Sequence, residues 1–440
     1  MSRLNRRQML ASAGAGLLGW GCLGRSASGW LPALAEGLAN APSRRRHCVL
    51  LWMSGGASQL DTFDLKPGHA NGGPFAEIET SVPGLRISEH LPKLARHGDK
   101  LAVCRGLSTS EGDHSRGTFL MHTGFPPGGP IAYPTIGAAL SKELGRSDTD
   151  LPNFVSIAQP DFLNRAAFSP GFLGPRYASL KVGQADVTPG GNVPDEGFAE
   201  LGVDDLISQG GSHKQQAARL DLWRTLQEGF LAGHGSSAPN AHQTVYDSAV
   251  RMMQSEAVKA FDLSQETDAV RERYGRGQFG QGCLMARRLI ERGVPFIEVG
   301  LSNWDTHQDN FDAVAELSAQ LDSGWSALMT DLSERGLLES TTILWMGEFG
   351  RTPRINPQAG RDHFPNAWSC VLAGGGINGG QAFGETSPDG MEVVDGKIDI
   401  PDVLATLCKA LGVDPETQNI SDLGRPIRIA EGTAIKGILA

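Results

Sequence analysis

The sequence predicts an α/β fold, with a mostly parallel central sheet and helices on both of its faces. Three observations predict it. Continuous apolar runs such as Cys48-Val49-Leu50-Leu51-Trp52-Met53 and Ile343-Leu344-Trp345-Met346 suit strands buried on both sides, as parallel strands are. Helical patterns alternate with these runs, which implies a sheet covered on both faces. The clearest helix sets Phe311, Val314, Leu317, Leu321, Trp325, Leu328 and Leu332 at spacings of three and four, one apolar stripe closed by Gly336.

Taken in order, residues 1–35 read as a targeting segment. Asn5-Arg6-Arg7-Gln8-Met9-Leu10 is a twin-arginine pattern, followed by a weakly apolar Gly/Ala-rich run and by Ala33-Leu34-Ala35, an A-x-A cleavage signal. The run is too short and glycine-rich for a membrane span. Residues 36–440 are expected to form a single α/β domain. Its first strand turns at Ser54-Gly55-Gly56-Ala57, and Asp61 and Asp64 follow.

Residues 91–96 read as a short helix and 101–104 as a second strand. The stretch 113–124 leads into a Pro/Gly turn. Residues 136–144 read as a helix and 153–157 as a strand. An irregular and helical excursion occupies about 158–280, with Leu220, Leu222, Trp223, Leu226 and Phe230 as apolar positions of its helical part. A helix over 281–292 and a strand over 294–299 then run into Asn303-Trp304-Asp305-Thr306-His307. After the strand at 343–346 comes Gly347-Glu348-Phe349-Gly350-Arg351-Thr352-Pro353-Arg354, then Gly360-Arg361-Asp362-His363. The apolar run 369–373 is the next strand, and Gly374-Gly375-Gly376 a turn where backbone passes closely. Asp399-Ile400-Pro401 opens a last helix over 403–411, with proline in its first turn.

Composition narrows the function. The 440 residues are 40% hydrophobic and 20% charged, a globular balance. Net charge is −10, and setting aside the four arginines of residues 1–35 leaves 35 basic against 49 acidic residues, or −14. That argues against a nucleic-acid partner. The six cysteines form no C-x-x-C pair, and Cys48, Cys104, Cys370 and Cys408 lie in apolar segments, so they read as small buried hydrophobes. Aromatic residues are 7% and spread along the chain, which disfavours a carbohydrate-binding module.

Four clusters gather acids and histidines just after predicted strands or turns: Asp61/Asp64, Asp113/His114, Asp305/His307, and Glu348 with Asp362/His363. In open α/β sheets, ligands bind beyond the carboxyl ends of the strands. Mixed carboxylate and imidazole ligands suit zinc, manganese or iron better than calcium. Asp305 and His307, two apart in an extended segment, face the same side. Each member also has a structural role open to it, Asp305 as a helix cap and Glu348 as a partner of Arg351 or Arg354. Arg116, Arg351 and Arg354 are the natural anion binders, since guanidinium matches phosphate or sulfate bidentately. His122, beside Phe119 and Leu120, reads as a core histidine, and Trp304 as a wall of the site or core filler.

Several motifs carry a family resemblance. They are the twin-arginine leader, Leu51-Trp52-Met53-Ser54-Gly55-Gly56, His114-Ser115-Arg116-Gly117, Trp304-Asp305-Thr306-His307, Gly347-Glu348-Phe349-Gly350-Arg351-Thr352-Pro353 and Gly360-Arg361-Asp362-His363. Together, and in this order, they resemble the exported DUF1501 family. More distantly, the chain is similar to the alkaline phosphatase and sulfatase superfamily, which hydrolyses phosphate or sulfate esters at a metal site on an α/β sheet. Ser115-Arg116 resembles the sulfatase nucleophile region, Met346 to Gly350 stands where that superfamily has a strand entering Asp-His-Gly, and His363 matches its late metal histidine. Three features depart from the pattern: the first strand ends in Ser54-Gly55 with no carboxylate until Asp61, Gly112 stands where sulfatases carry the nucleophile, and Phe349 replaces a histidine.

The resemblance implies an exported metal-dependent hydrolase of phosphate or sulfate esters. Asp305, His307, Glu348 and His363 would hold the metal, with Asp61 and His114 completing it. Arg116 and Arg351 would stabilise developing charge, with Ser115 the nearest hydroxyl nucleophile. The expected cofactor is a divalent metal ion (zinc, manganese or calcium). The expected partner is an anionic ester or a sulfated or phosphorylated polymer, met in the periplasm or outside the cell, with membrane contact only through the export leader. The rival expectation is a non-catalytic exported binding or scaffold protein that keeps the fold.

Overall fold

The computed structural model describes residues 46–440 apart from 147–148, 186, 189–192, 204–214, 216–217, 219–220, 224 and 227–236. The expected targeting segment, with Cys22, and the excursion's Leu220 and Phe230 lie outside the described residues.

The strands of the main sheet are β1 (His47–Met53), β2 (Leu101–Leu107), β3 (Phe154–Ile157), β4 (Leu180–Val182), β5 (Phe296–Leu301), β6 (Thr341–Met346), β7 (Trp368–Gly374) and β8 (Gln381–Phe383). The helices that cover it are α1 (His114–Thr123), α2 (Ile136–Leu144), α3 (Gln278–Glu291), α4 (Asn310–Glu334) and α5 (Ile400–Ala410). Across the sheet the order is β8-β2-β7-β6-β1-β5-β3-β4. Every pairing is parallel except those of β7, which runs antiparallel to both β6 and β2. The sheet is mostly parallel, as expected.

β1 shows why its sequence reads as one apolar run. Val49, Leu51 and Met53 face a core built with Leu284 and Met285 of α3 and Leu321 and Trp325 of α4. Cys48, Leu50 and Trp52 face the other core, with Leu120 of α1, Ile136 and Leu140 of α2, and Leu404 and Leu407 of α5. All seven residues of β1 are buried, and its one polar side chain, His47, stands at the strand's start with its ring bonded to the Val294 carbonyl at 2.8 Å. Fully burying one such side chain is worth about 1.5–3 kcal/mol. The five cysteines within the described residues are free and buried, as read.

Several boundaries differ from the sequence reading. Residues 113–124 contain a helix, α1, with Asp113 as its cap accepting the Arg116 N–H at 3.1 Å and Gly124 closing it at φ 76°. Those two residues were the available signal. The strand expected over 294–299 starts two residues later, after Pro295, which has no N–H to pair. The short helix expected over 91–96 is a 3₁₀ stretch, Leu94–Lys100, broken at His97. In the excursion, Leu222 and Leu226 are exposed, so the apolar spacing there is not matched by burial within this chain. No helix among the described residues is long and apolar enough to cross a membrane.

Because β5, β1 and β6 are neighbours and run the same way, their carboxyl ends deliver three loops to one edge. β2 points the same way and sends its loop into α1. β7 begins at that edge, so the segment preceding it also arrives there. Every acid–histidine cluster singled out in the sequence thus comes from this edge.

Candidate metal centre

The loop after β1 sets the floor. Gly55 sits at φ +110°, and a Cβ there would lie 2.3 Å from the Asp305 backbone nitrogen, so only glycine fits. Its N–H donates to Glu348 Oε1 at 2.9 Å. The loop after β5 brings Trp304, which is wholly buried in the core, and then Asp305 and His307. The loop after β6 carries Glu348 and Phe349 into a two-residue hairpin, Gly350–Arg351 against His363–Phe364, with Arg351 opposite His363. α1 opens with His114.

These loops gather three imidazoles around one carboxylate. Asp305 Oδ1 lies 3.1 Å from His307 Nε2 and 3.2 Å from His363 Nε2, and Oδ2 lies 3.2 Å from His114 Nε2. His307 Nε2 and His363 Nε2 are 3.0 Å apart. The other ring nitrogen of each histidine is held. His114 Nδ1 meets Glu348 Oε1 at 2.7 Å, His307 Nδ1 meets Asp362 Oδ1 at 2.8 Å, and His363 Nδ1 meets the Gly112 carbonyl at 2.8 Å. A carbonyl only accepts, so His363 Nδ1 carries the proton, and the two carboxylates impose the same tautomer on their partners. Neutral rings fixed this way turn three Nε2 lone pairs toward carboxylate oxygens. That arrangement requires a positive charge among them.

Protons or a metal ion can supply it. His114, Asp305 and His363 present ligand atoms all within 4.8 Å of one another. Two nitrogens bound to one tetrahedral zinc at about 2.0–2.1 Å would stand roughly 3.3 Å apart, close to the His307–His363 spacing. His114 Nε2 is sealed from solvent and faces the Asp305 carboxylate, and Glu348 Oε2 is sealed from solvent without a hydrogen-bond partner. Outward carboxylate and carbonyl acceptors on Nδ1 are the usual support of metal-binding histidines. The donor set fits a divalent ion.

Without one, the charges answer each other. Burial pulls the His114 imidazolium down, but hydrogen bonds to Asp305 and Glu348 outweigh it and hold its pKa up at about 9. Burial pushes Asp305 up, yet hydrogen bonds from His114 and His363 and the Arg351 charge hold it well below the usual carboxylate range. Asp362 is lowered mainly by its hydrogen bond with His307.

The expected site residues divide. His114, Asp305, His307 and His363 come together. Glu348 reaches the same place, but its Oε1 is used by Gly55 and His114, which makes it a support of His114. Asp61 does not join them. It is wholly buried and held bidentately by Arg361 at 2.7 and 3.1 Å, by Asn310 at 2.9 Å and by Ser58 at 2.5 Å. Its hydrogen bonds run to Arg361, Asn310 and Ser58, which makes it an internal anchor and corrects its expected place as a ligand.

Arg351 is wholly buried and donates to the Gly55, Gly56 and Arg361 carbonyls and to Asp305 Oδ1, so it does not face an open anion site. Arg116 is tied to Glu111 at 2.6 and 2.8 Å on the surface. Ser115 Oγ accepts from Asn164 Nδ2 at 3.2 Å. Sequence reading missed two supports. Phe349, wholly buried, packs its ring 5.0 Å from His114 and 4.5 Å from His363. The Gly112 acceptor is a backbone atom and leaves no side-chain signal. His122 is a core histidine as read, buried 4.3 Å from the Trp52 ring.

A family model described as protein of unknown function (DUF1501) matches residues 45–439. The chain belongs to the DUF1501 family. The match spans the whole described sheet and every residue of the centre. No curated protein matches the sequence of this DUF1501 member. Among solved structures, it is similar to the lipoteichoic acid synthase LtaP from Listeria monocytogenes, at 10% identity and TM-score 0.41 over 90% of this chain and 77% of that one. A sulfatase from Pseudoalteromonas sp. shares 13% identity at TM-score 0.39, over 86% and 70% of the two chains. A phosphonate monoester hydrolase from Silicibacter pomeroyi shares 10% identity at TM-score 0.38, over 89% and 76%. Likenesses at this level carry no argument about chemistry, which rests on the geometry of the centre.

Proposed function

We propose that this DUF1501 chain is an exported, metal-dependent hydrolase-like protein acting on phosphate or sulfate esters. One observation carries the reading: three histidine Nε2 atoms, their Nδ1 protons held elsewhere, converge on the Asp305 carboxylate at 3.1–3.2 Å. His114, His363 and Asp305 would hold the metal, with His307 beside them. A divalent ion there supplies a Lewis acid and lowers the pKa of a bound water.

The chain's own residues do the rest. Glu348, Asp362 and the Gly112 carbonyl each hold an Nδ1 proton, so that a neutral ring aims its Nε2 lone pair at the centre. Arg351 holds Asp305 Oδ1 at 2.6 Å and so fixes the carboxylate that faces the histidines. Phe349 closes one wall against water. Ser115 follows His114 in the first turn of α1, at the positive end of a ten-residue helix. The twin-arginine pattern of residues 5–10 supports export.

A second reading, a metal-binding protein without hydrolytic activity, is favoured by one feature. Arg116 is paired with Glu111 and all contacts of Arg351 are internal, so neither arginine faces an anion.

Metal analysis of the purified protein, followed by assay on aryl phosphates and aryl sulfates, separates the readings. The hydrolase reading expects bound metal and turnover, both lost in Asp305→Asn and in His363→Ala. Bound metal with no turnover on either substrate class supports the second reading. Absence of metal, or turnover unchanged by both substitutions, ends the first.

A further inference from the structure

We propose that the centre takes one divalent ion per chain, and that the buried Arg351 guanidinium is a built-in cation standing where a second ion would be. The inference rests on the metal reading above and goes beyond it in stoichiometry and in the role of Arg351.

Four oxygen acceptors converge on this guanidinium: the carbonyls of Gly55, Gly56 and Arg361, and Asp305 Oδ1. Carbonyl and carboxylate oxygens of this kind are the ligands a hard cation selects. The side chain is wholly buried, and its backbone is clamped on both sides by Gln59, which accepts from Arg351 N and donates to Arg351 O at 2.9 Å each. An arginine so enclosed is a fixed charge, since guanidinium does not lose its proton in proteins.

Asp305 Oδ1 is the shared atom. On one side it meets the guanidinium at 2.6 Å, and on the other the His307 and His363 nitrogens. An ion bound to Oδ1 at about 2.1 Å would lie no more than roughly 4.7 Å from the guanidinium nitrogen. Paired catalytic metals sit about 3.5–4 Å apart across such bridging oxygens. The guanidinium thus occupies the second position of a bridged pair.

Among the described residues no second ligand set stands nearby. Asp61 is closed by Arg361, and Glu348 Oε1 is used by Gly55 and His114, which leaves Glu348 Oε2 as a single carboxylate oxygen, too few to hold a second ion. Asp362 supports His307, and Phe349 packs against both His114 and His363, whose rings touch each other edge to face at 4.3 Å. The only group of three or more potential ligands among the described residues is His114, Asp305 and His363.

The test loads the full chain with Zn²⁺ or Mn²⁺, removes excess by dialysis, and counts ions per folded chain by native mass spectrometry, with affinity from competition titration. One ion per chain is expected; two tightly held ions overturn the inference and leave the metal reading standing, and none ends that reading and this inference with it. The affinities of two variants test the charge. Arg351→Lys keeps a cation and should hold Kd within about tenfold. Arg351→Met removes a positive charge within roughly 5 Å of the ion and should tighten binding by about tenfold or more, while ester hydrolysis falls. A purely structural arginine would instead weaken binding in both, which overturns the role assigned. Should Arg351→Met fail to fold, the wild-type count and the Lys variant still decide.

Discussion

Replacing Asp61 with asparagine separates two roles that the sequence leaves equal, metal ligand and internal anchor. Asp61 and Arg361 are both wholly buried, and the carboxylate takes two guanidinium hydrogen bonds at 2.7 and 3.1 Å. Asparagine keeps the shape and the contact with Asn310 but leaves Arg361 as an unpaired buried charge. Removing one partner of a buried pair costs about 3–5 kcal/mol. Arg361 also donates to the carbonyls of Asn71, Thr352 and Pro353, which remain, so the lower half of that range is expected. For the roughly 360 described residues at about 2.1 cal/mol/K each, the entropy of unfolding is near 0.8 kcal/mol/K, and the melting temperature should fall by about 4–5 °C. Thermal unfolding of Asp61→Asn beside wild type, with Zn²⁺ titration of both, reads the two roles at once. Binding should survive while stability drops. A melting temperature within about 1 °C of wild type, or loss of binding as complete as in Asp305→Asn, would refute the reasoning.

Three further outcomes are expected. Glu348→Gln should fold and lose about 10–100-fold in metal affinity, because the carboxylate that orients His114 is gone while Gly55 N–H keeps an acceptor; competition titration measures it. Gly55→Ala should destabilise the protein by more than about 2 kcal/mol and abolish the centre, since its Cβ would press on the Asp305 backbone and φ is +110°; denaturant unfolding and metal titration check both. The third concerns pH. The folded pKa of His114 is raised from 6.5 to about 9, so its contribution to stability is fully present below about pH 6.5 and is lost as pH rises through about 9. Metal-free protein should therefore lose stability over that window. Protein with saturating Zn²⁺ should gain instead, because the ion binds only deprotonated Nε2; melting curves from pH 6.5 to 9.5 in both states show whether the slopes have opposite sign.

What the sequence alone determined about this protein was its layers. The unbroken apolar run of β1 can exist only where both faces are covered, and the three-and-four spacing from Phe311 to Leu332 can pack only as one stripe of a helix. Both are local consequences of side-chain period, and both appear in the structure. The four acid–histidine clusters were legible too, because each follows directly on a strand or turn, and parallel strands end at one edge. α1 was not, since its apolar residues make no clean stripe and only Asp113 and Gly124 marked its ends.

Tertiary structure decided which members of those clusters meet. Asp61 and Asp305 are the same residue type in similar local settings. One lies across from Arg361, three hundred positions away in the chain, and the other faces three imidazoles. Strand order placed β5, β1 and β6 side by side, and the short pairing of Arg351 with His363 folded the last histidine back onto Asp305. The partner of each Nδ1 was set in the same way: Glu348, Asp362 and the bare carbonyl of Gly112 lie far from their histidines in sequence or carry no side chain. Charge pairing inside a fold is a matter of distance in space, and a sequence prints only distance along the chain.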